Sequence, residues 1–375
     1  MLKVLHFYKT YYPDTFGGIE QVIYQLSEAG ISHGIDSTTL SLSTRGNIQN
    51  KTIGKHRANY AATSFEFAST PFSFDAIKRF KQLAEQADII HYHFPYPFMD
   101  MLHFMCGISK PTVLSYHSDI VKQKMALKFY APLMDKFLNS VDYIVAATPN
   151  YVASSSVLQK HMKKVKVIPY GLDRSSYPTV NDERVNYWKG KVGENFFLFI
   201  GAFRYYKGLH ILLEAVKSTD LPLVIIGGGT PEAEAQLKEF AAKNNLNNVI
   251  FLGALPDIDK VALLYLSYSV VFPSCLRSEA FGITLLEGAM FGKPLICCDI
   301  QTGTTFINID KVTGSVVPPF DAPALRDAML HLQASPELAA EYGKNALKRF
   351  ETHFTSSLMS QSYFGLYHSL IYDER

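Results

Sequence analysis

The sequence predicts an α/β protein made of two doubly wound domains whose parallel sheets face each other across a cleft. Short β-rich runs alternate with amphipathic helical segments along almost all of the 375 residues. The series restarts after a polar, irregular stretch near Gly171–Gly190, and this length suits two ordinary domains better than one very large one. Strand, helix, strand repeated in this way implies a parallel sheet covered on both faces.

The first series of strands is expected at Lys3–Phe7, Thr38–Leu42, Ile89–Tyr92, Thr112–Tyr116, Tyr143–Ala146 and Val165–Ile168. The second is expected at Phe196–Ile200, Leu223–Ile226, Val249–Phe251, Val270–Phe272 and Pro294–Cys298. Helical patterns such as Glu20–Gly30, Phe74–Gln86, Glu232–Asn244 and Ile258–Ser267 fall between them. Residues 1–173 are expected to form the first domain and 190–355 the second. A last helix, 356–375, is expected to return to the first.

Hydrophobic residues make up 47% and charged residues 19%, enough apolar surface for two cores. The 36 Lys and Arg against 34 Asp and Glu exclude a nucleic-acid binder built on a uniformly basic surface. Residues 1–180 carry 19 basic and 13 acidic side chains, a net of +6; the remainder, 17 and 21, carries −4. A basic first half suits an anionic surface. The segment Val121–Asn139, with Lys122, Lys124, Lys128 and Lys136 among apolar residues, reads equally as a helix on an anionic membrane or as a core helix with a solvated lysine face. Cys106, Cys275, Cys297 and Cys298 lack metal-ligand spacing, and the adjacent pair sits in an apolar run, as buried strand thiols do. These features point to a reducing, cytoplasmic setting, peripheral to a membrane at most. The N-terminus reads as a strand rather than a signal peptide, and no eighteen-residue apolar window spans a bilayer.

Sheets of this kind bind ligands beyond the carboxyl ends of their strands. There the first strand leads through Gly17-Gly18 into a helix, where paired glycines let backbone N–H groups approach a ligand. It is not a G-x-G-x-x-G loop, and the second strand ends without the acidic residue a ribose needs, so a nicotinamide cofactor is disfavoured. After Phe196–Ile200 comes Gly201-Ala202-Phe203-Arg204-Tyr205-Tyr206-Lys207-Gly208, whose Arg204 and Lys207 suit a diphosphate as negative charge grows on it. Were the strand to run through Phe203, Ala202 and Arg204 would share a side. Glu279-Ala280-Phe281-Gly282-Ile283-Thr284-Leu285-Leu286-Glu287 places two carboxylates eight residues apart. With Glu279 in a loop and a helix starting near Gly282, the N–H groups of Phe281, Gly282 and Ile283 face an anion while both carboxylates accept from vicinal hydroxyls. Glu20 lies in a helix's first turn, where the macrodipole accounts for it and an acceptor contact is a second reading. His91 and His93 share one side of a strand, but no Cys or carboxylate stands at ligand spacing, so no metal site is assigned.

Together these residues resemble the retaining glycosyltransferases of family four. The likeness rests on Gly17-Gly18-Ile19-Glu20, Ser115-Tyr116-His117-Ser118-Asp119, Ile168-Pro169-Tyr170-Gly171-Leu172-Asp173, the Tyr-Tyr-Lys-Gly run and the Glu-x7-Glu motif, in that order. The resemblance implies the B-type fold of two Rossmann-like domains and a nucleotide-sugar donor held without a metal cofactor. It implies that Glu279 contacts the donor sugar and Glu287 the ribose, that His117 lies beside the reacting sugar, and that Gly17, Gly18 and Lys207 approach the phosphates. Many members carry Arg where this chain has Ala202, and Arg204 is the candidate substitute. Among family members the chain is most similar to bacterial mannosyltransferases of lipopolysaccharide O-antigen. This implies GDP-mannose as donor and a polyprenyl-diphosphate-linked glycan as acceptor. A UDP-hexose-dependent transferase, a nucleotide-sugar epimerase of the same fold and a non-catalytic sugar-nucleotide binder stay open as alternatives.

Overall fold

The computed structural model describes residues 1–45, 50–68, 70–120 and 124–372. The chain divides into two compact units, Met1–Gly171 with Thr355–Arg375, and Leu172–Phe354. It therefore passes between them twice, and the final helix, Ser356–Tyr372, belongs with the first unit.

The first unit holds β1 (Leu2–Phe7), β2 (Ile35–Ser43), β3 (Lys51–Ile53), β4 (His56–Ala62), β5 (Phe65–Phe67), β6 (Thr70–Phe72), β7 (Ile89–Phe94), β8 (Thr112–Tyr116), β9 (Tyr143–Ala146) and β10 (Val165–Val167). Eight of them form one sheet in the order β10-β9-β8-β7-β1-β2-β4-β3. Every pairing is parallel except β3 with β4, and β5 and β6 make a separate antiparallel ribbon. Strands β7 and β8 are buried along their whole length. The chain runs outward from β1 in both directions, so the strand order reverses between β1 and β7.

The second unit holds β11 (Phe197–Ile200), β12 (Leu223–Ile226), β13 (Val249–Gly253), β14 (Ser269–Phe272), β15 (Leu295–Cys298) and β16 (Gly314–Val317). They form one all-parallel sheet in the order β13-β12-β11-β14-β15-β16. This is the dinucleotide-fold order, with its switch point between β11 and β14. Complete burial of β11, β12, β14 and β15 explains why each reads as an unbroken apolar run. Cys297 and Cys298 are buried strand thiols, as expected.

Helix starts follow local chemistry. Ser73, Thr148, Asn181, Thr230 and Asp321 each cap a first turn by accepting from a backbone N–H three residues on. The irregular stretch after Gly171 packs within the second unit. Arg174 donates to the Met290 carbonyl at 2.6 Å, and helix Asp182–Val192 buries Trp188 against helix Asp257–Leu266. There Asp259 accepts from Trp188 Nε1 at 2.6 Å and from Arg184 Nε at 2.5 Å. In the first unit, helix Ser356–Tyr372 packs along helix Gly18–Gly30.

Candidate functional site

At the switch point of the second unit, the loops leaving β11 and β14 interlock. Gly208 has φ +71°, and a Cβ there would lie 1.9 Å from the Pro273 carbonyl oxygen, so only glycine lets the two loops meet. Just before it, Lys207 ends a short 3-10 turn and points its ammonium at the Glu279 carboxylate, on which Ser274 Oγ also donates at 3.3 Å. Both charged side chains are largely buried, and the Lys207 ammonium lies 4.8 Å from the centre of the Phe272 ring.

Glu279 is in the loop, and the helix that follows it is Ile283–Met290. Gly282 caps that helix at φ +107°, and Thr284 Oγ1 donates to the Ile200 carbonyl at 3.2 Å, tying the helix start to the end of β11. Among the described residues, the N–H groups of Gly282 and Ile283 make no hydrogen bond. Phe281 is buried and sets the backbone that leads into the turn. One helical turn further, buried Glu287 accepts from Lys260 Nζ at 2.8 Å and from Tyr177 Oη at 3.0 Å. Lys260 also pairs with Asp257 at 2.9 Å. Burial works against its charge, but Glu287 and Asp257 more than offset this and hold its pKa above the ordinary lysine value.

Each carboxylate of the Glu-x7-Glu motif is therefore neutralised by its own lysine, Glu279 by Lys207 and Glu287 by Lys260. Arg204 is exposed and forms no ion pair among the described residues. The alternation argument for it does not hold, because β11 ends at Ile200 and Arg204 instead precedes the turn Tyr205–Lys207. Beyond Ile200 the backbone stays tied to the chain leaving β12, with Gly201 N donating to the Ile226 oxygen at 3.0 Å and Phe203 N to the Gly228 oxygen at 2.8 Å, and a Cβ on Gly227 would fall 1.9 Å from the Gly201 oxygen.

In the first unit, exposed Gly17 caps helix Gly18–Gly30. A Cβ on Gly17 would come within 2.5 Å of Glu20 Oε2, so a larger residue there would push the carboxylate aside. Glu20 Oε1 accepts from Thr10 at 2.8 Å and Thr15 at 2.6 Å. That makes it a brace for the loop.

His117 lies just past the carboxyl end of β8 and is 5% exposed. Its Nδ1 is 2.5 Å from Tyr170 Oη and its Nε2 is 2.9 Å from His93 Nδ1. Burial pushes its pKa down to about 3, so the ring is neutral at physiological pH. His6, His91 and His93 bring ring nitrogens within 4.8 Å of one another, the spacing of a metal site. Sequence spacing could not show this third histidine, because His6 reaches the group only through the pairing of β1 with β7, in which it lies opposite His91. Every ring nitrogen in the group already has a hydrogen-bond partner, so a metal would have to break these bonds. Lys260 and Tyr177 were likewise illegible, because they meet Glu287 only through tertiary packing. The segment Val121–Asn139 is described from residue 124 onward as helix Lys124–Ser140, with Phe137 and Leu138 buried and Lys128, Phe129 and Lys136 exposed. Its Lys122 lies outside the described residues.

A cavity of about 480 Å³, lined by Lys3, Asp36, Thr52, Arg57, Asn59 and Gln86 among others, opens at the amino-terminal ends of the first unit's strands, opposite the His117 edge. Among the described residues, no helix is long and apolar enough to cross a membrane.

Two family models match the chain: "Glycosyltransferase Family 4" over residues 16–176 and "Glycosyl transferases group 1" over residues 183–349. The O-antigen chain mannosyltransferase C of Escherichia coli is 54% identical over 370 residues, covering 99% of each chain. The D-rhamnosyltransferase WbpZ of Pseudomonas aeruginosa is 52% identical over 355 residues, 95% of this chain and 93% of that one. Among solved structures, a sucrose-phosphate synthase from Thermosynechococcus elongatus superposes with a TM-score of 0.81 at 20% identity, over all of both chains. Anabaena HepE in complex with UDP and glucose superposes at 0.78 with 17% identity, over 98% of this chain and 100% of that one. These structural likenesses establish the fold, two Rossmann-like domains of the B-type glycosyltransferases.

Proposed function

The chain belongs to glycosyltransferase family 4 and is a hexosyltransferase, and from that premise we propose that it is a retaining α-mannosyltransferase. It would move mannose from GDP-mannose to a polyprenyl-diphosphate-linked glycan in lipopolysaccharide O-antigen synthesis. The observation that carries the reading is the meeting of Lys207 with Glu279 at the switch point of the second unit, beneath the start of helix Ile283–Met290.

The diphosphate, the ribose and the sugar of a sugar nucleotide each have a fitting group among these residues. The diphosphate takes the ammonium of Lys207, the guanidinium of Arg204 and the N–H groups of Phe281, Gly282 and Ile283, and Gly17 and Gly18 of the first unit are further candidates for phosphate contact. These groups stabilise the charge that develops as the sugar–phosphate bond breaks. Glu287, already oriented by Tyr177 and Lys260, accepts from the ribose diol. Glu279 takes a sugar hydroxyl, and His117 lies beside the sugar as a neutral group. Both carboxylates are paired with lysine, which leaves neither as a strong base. In the front-face attack that the family resemblance implies, the departing phosphate takes the acceptor proton, so none is needed. The same groups supply the electrostatic work of a divalent cation, so no metal is required.

The two near relatives narrow the donor. One is a mannosyltransferase and the other a D-rhamnosyltransferase, and D-rhamnose is mannose lacking the C6 hydroxyl. A GDP-D-rhamnose donor is therefore the second reading. Exposed Phe129, at 86%, stands beside Lys128 on helix Lys124–Ser140, and Phe65 and Phe67 are exposed on the β5–β6 ribbon. Basic and aromatic groups of this kind support a place on the anionic cytoplasmic face of the inner membrane, where the lipid-linked acceptor resides.

The test is a transfer assay with purified enzyme, the lipid-linked glycan and a panel of GDP-mannose, GDP-D-rhamnose, UDP-glucose and UDP-N-acetylglucosamine. Mannose incorporation from GDP-mannose alone is the expected result. Incorporation only from GDP-D-rhamnose favours the second reading, and turnover only with a uridine donor overturns both.

A further inference from the structure

One face of the first unit's sheet is polar where a buried parallel sheet is normally aliphatic. His91 and His93 alternate on β7, Ser115 and His117 follow the same alternation along β8, and His6 enters from β1. All five are 5% exposed or less. The four histidines have eight ring nitrogens, and all eight have partners. His6 Nδ1 is 3.1 Å from His93 Nε2, and His6 Nε2 is 3.4 Å from Ser37 Oγ. His93 Nδ1 is 2.9 Å from His117 Nε2, and His117 Nδ1 is 2.5 Å from Tyr170 Oη. His91 stands apart from this line, bonded to Ser115 Oγ at 2.7 Å and Tyr367 Oη at 2.6 Å, with Tyr363 Oη on the same Ser115 hydroxyl at 2.7 Å. It fastens helix Ser356–Tyr372 to the sheet.

A neutral imidazole has one N–H and one lone pair. The line Ser37–His6–His93–His117–Tyr170 can therefore be satisfied only if all its bonds point the same way. A phenol is the stronger acid at one end and a serine hydroxyl the weaker at the other, so the donors run from Tyr170 inward. Tyr170 donates to His117 Nδ1, His117 Nε2–H to His93 Nδ1, His93 Nε2–H to His6 Nδ1, and His6 Nε2–H to Ser37. Burial keeps His6 and His117 neutral, each pushed down to about 3, and His93 lies well below its ordinary value for the same reason. The line ends on buried Ser37, so it orients protons without exporting them.

We propose that His93 is a positioning residue for sugar transfer, which with Tyr170 fixes the ring plane and the Nε2–H tautomer of His117. This rests on the reading that His117 lies beside the reacting sugar.

Asn and Gln separate the two contacts of His93, because an Asn amide falls near Nδ1 and a Gln amide near Nε2. His93→Asn keeps a partner for His117 and loses His6; His93→Gln keeps a partner for His6 and loses His117. The expected result is that His93→Gln lowers kcat about 10- to 100-fold with donor KM little changed, while His93→Asn stays within about threefold of the parent. Nitrogen-15 spectra of ring-labelled protein should show His117 protonated at Nε2 in the parent and in His93→Asn, and a mixture of tautomers in His93→Gln. Equal losses in the two variants, or a parent-like His93→Gln, would overturn the positioning role. His117→Ala is run alongside: full activity there would instead remove the premise about His117, whatever the His93 variants do. Tyr170→Phe, which breaks the line at its other end, should repeat the kcat loss if either His93 variant fails to fold.

Discussion

Lys207 and Glu279 neutralise each other inside a mostly buried loop, so removing either leaves a charge without its partner. Glu279→Ala is expected to lower transfer at least about 100-fold with the fold intact, because on the proposed reading it removes the contact with the reacting sugar. Glu287→Ala should act differently, weakening nucleotide binding about tenfold or more in a calorimetric titration while kcat falls less. Equal effects of the two substitutions on binding and on turnover would contradict the division of labour between them. Both glutamates were legible from their spacing and the intervening glycine. Their lysine partners were legible only in part: Lys207 belongs to a recognisable strand-end run, whereas Lys260 sits on an unremarkable amphipathic helix whose docking no local pattern encodes. Arg204 shows the opposite failure, since strand alternation was carried past Ile200 to a residue that instead opens a 3-10 turn.

At the scale of elements, the loops of the second unit are held backbone against backbone. Gly208→Ala would force both a left-handed residue and a contact with the Pro273 oxygen, and it should cost more than about 3 kcal/mol in denaturant unfolding. A loss under 1 kcal/mol would contradict the interlocked geometry. The buried Asp259 staples helix Asp182–Val192 to helix Asp257–Leu266, and Asp259→Ala should cost about 2 kcal/mol by stranding the Trp188 N–H. The long buried strands could be read directly because parallel strands covered on both sides are continuous apolar runs. β3, β5 and β6, three residues each, and β16, which begins at Gly314, offered no such run. The histidine line was half visible: period two places His91 and His93 on one face, but only the order β8-β7-β1 adds His6 and His117 to it.

For the whole molecule, the buried histidines dictate how stability depends on pH. His6 and His117 are held at about 3, and His91 and His93 lie well below the ordinary 6.5, all chiefly through burial. Between these values the unfolded chain binds more protons than the folded one, so stability is fully present above about pH 6.5 and falls as the pH drops. At pH 5 His6 and His117 each cost on the order of 2 kcal/mol, and His91 and His93 act in the same direction, together a large share of ordinary domain stability. Guanidinium unfolding midpoints should therefore fall steeply from pH 7.5 to pH 5, and a flat profile would contradict a buried neutral cluster. The proposed membrane association is tested at the same scale. Binding to vesicles containing anionic lipid should drop several-fold in Phe129→Ser and on raising the salt, and no binding, or binding unchanged by both, would contradict helix Lys124–Ser140 as the contact.

The central claim is sugar transfer with retention at a site that has no strong base. The most direct measurement is the anomeric configuration of the first product formed from GDP-mannose and the lipid-linked acceptor, read by proton NMR during early turnover. The account predicts an α-mannoside, the configuration of the donor. A β-mannoside would mean inversion and would require a general base that lysine-paired Glu279 and Glu287 do not supply, contradicting the reading of the site.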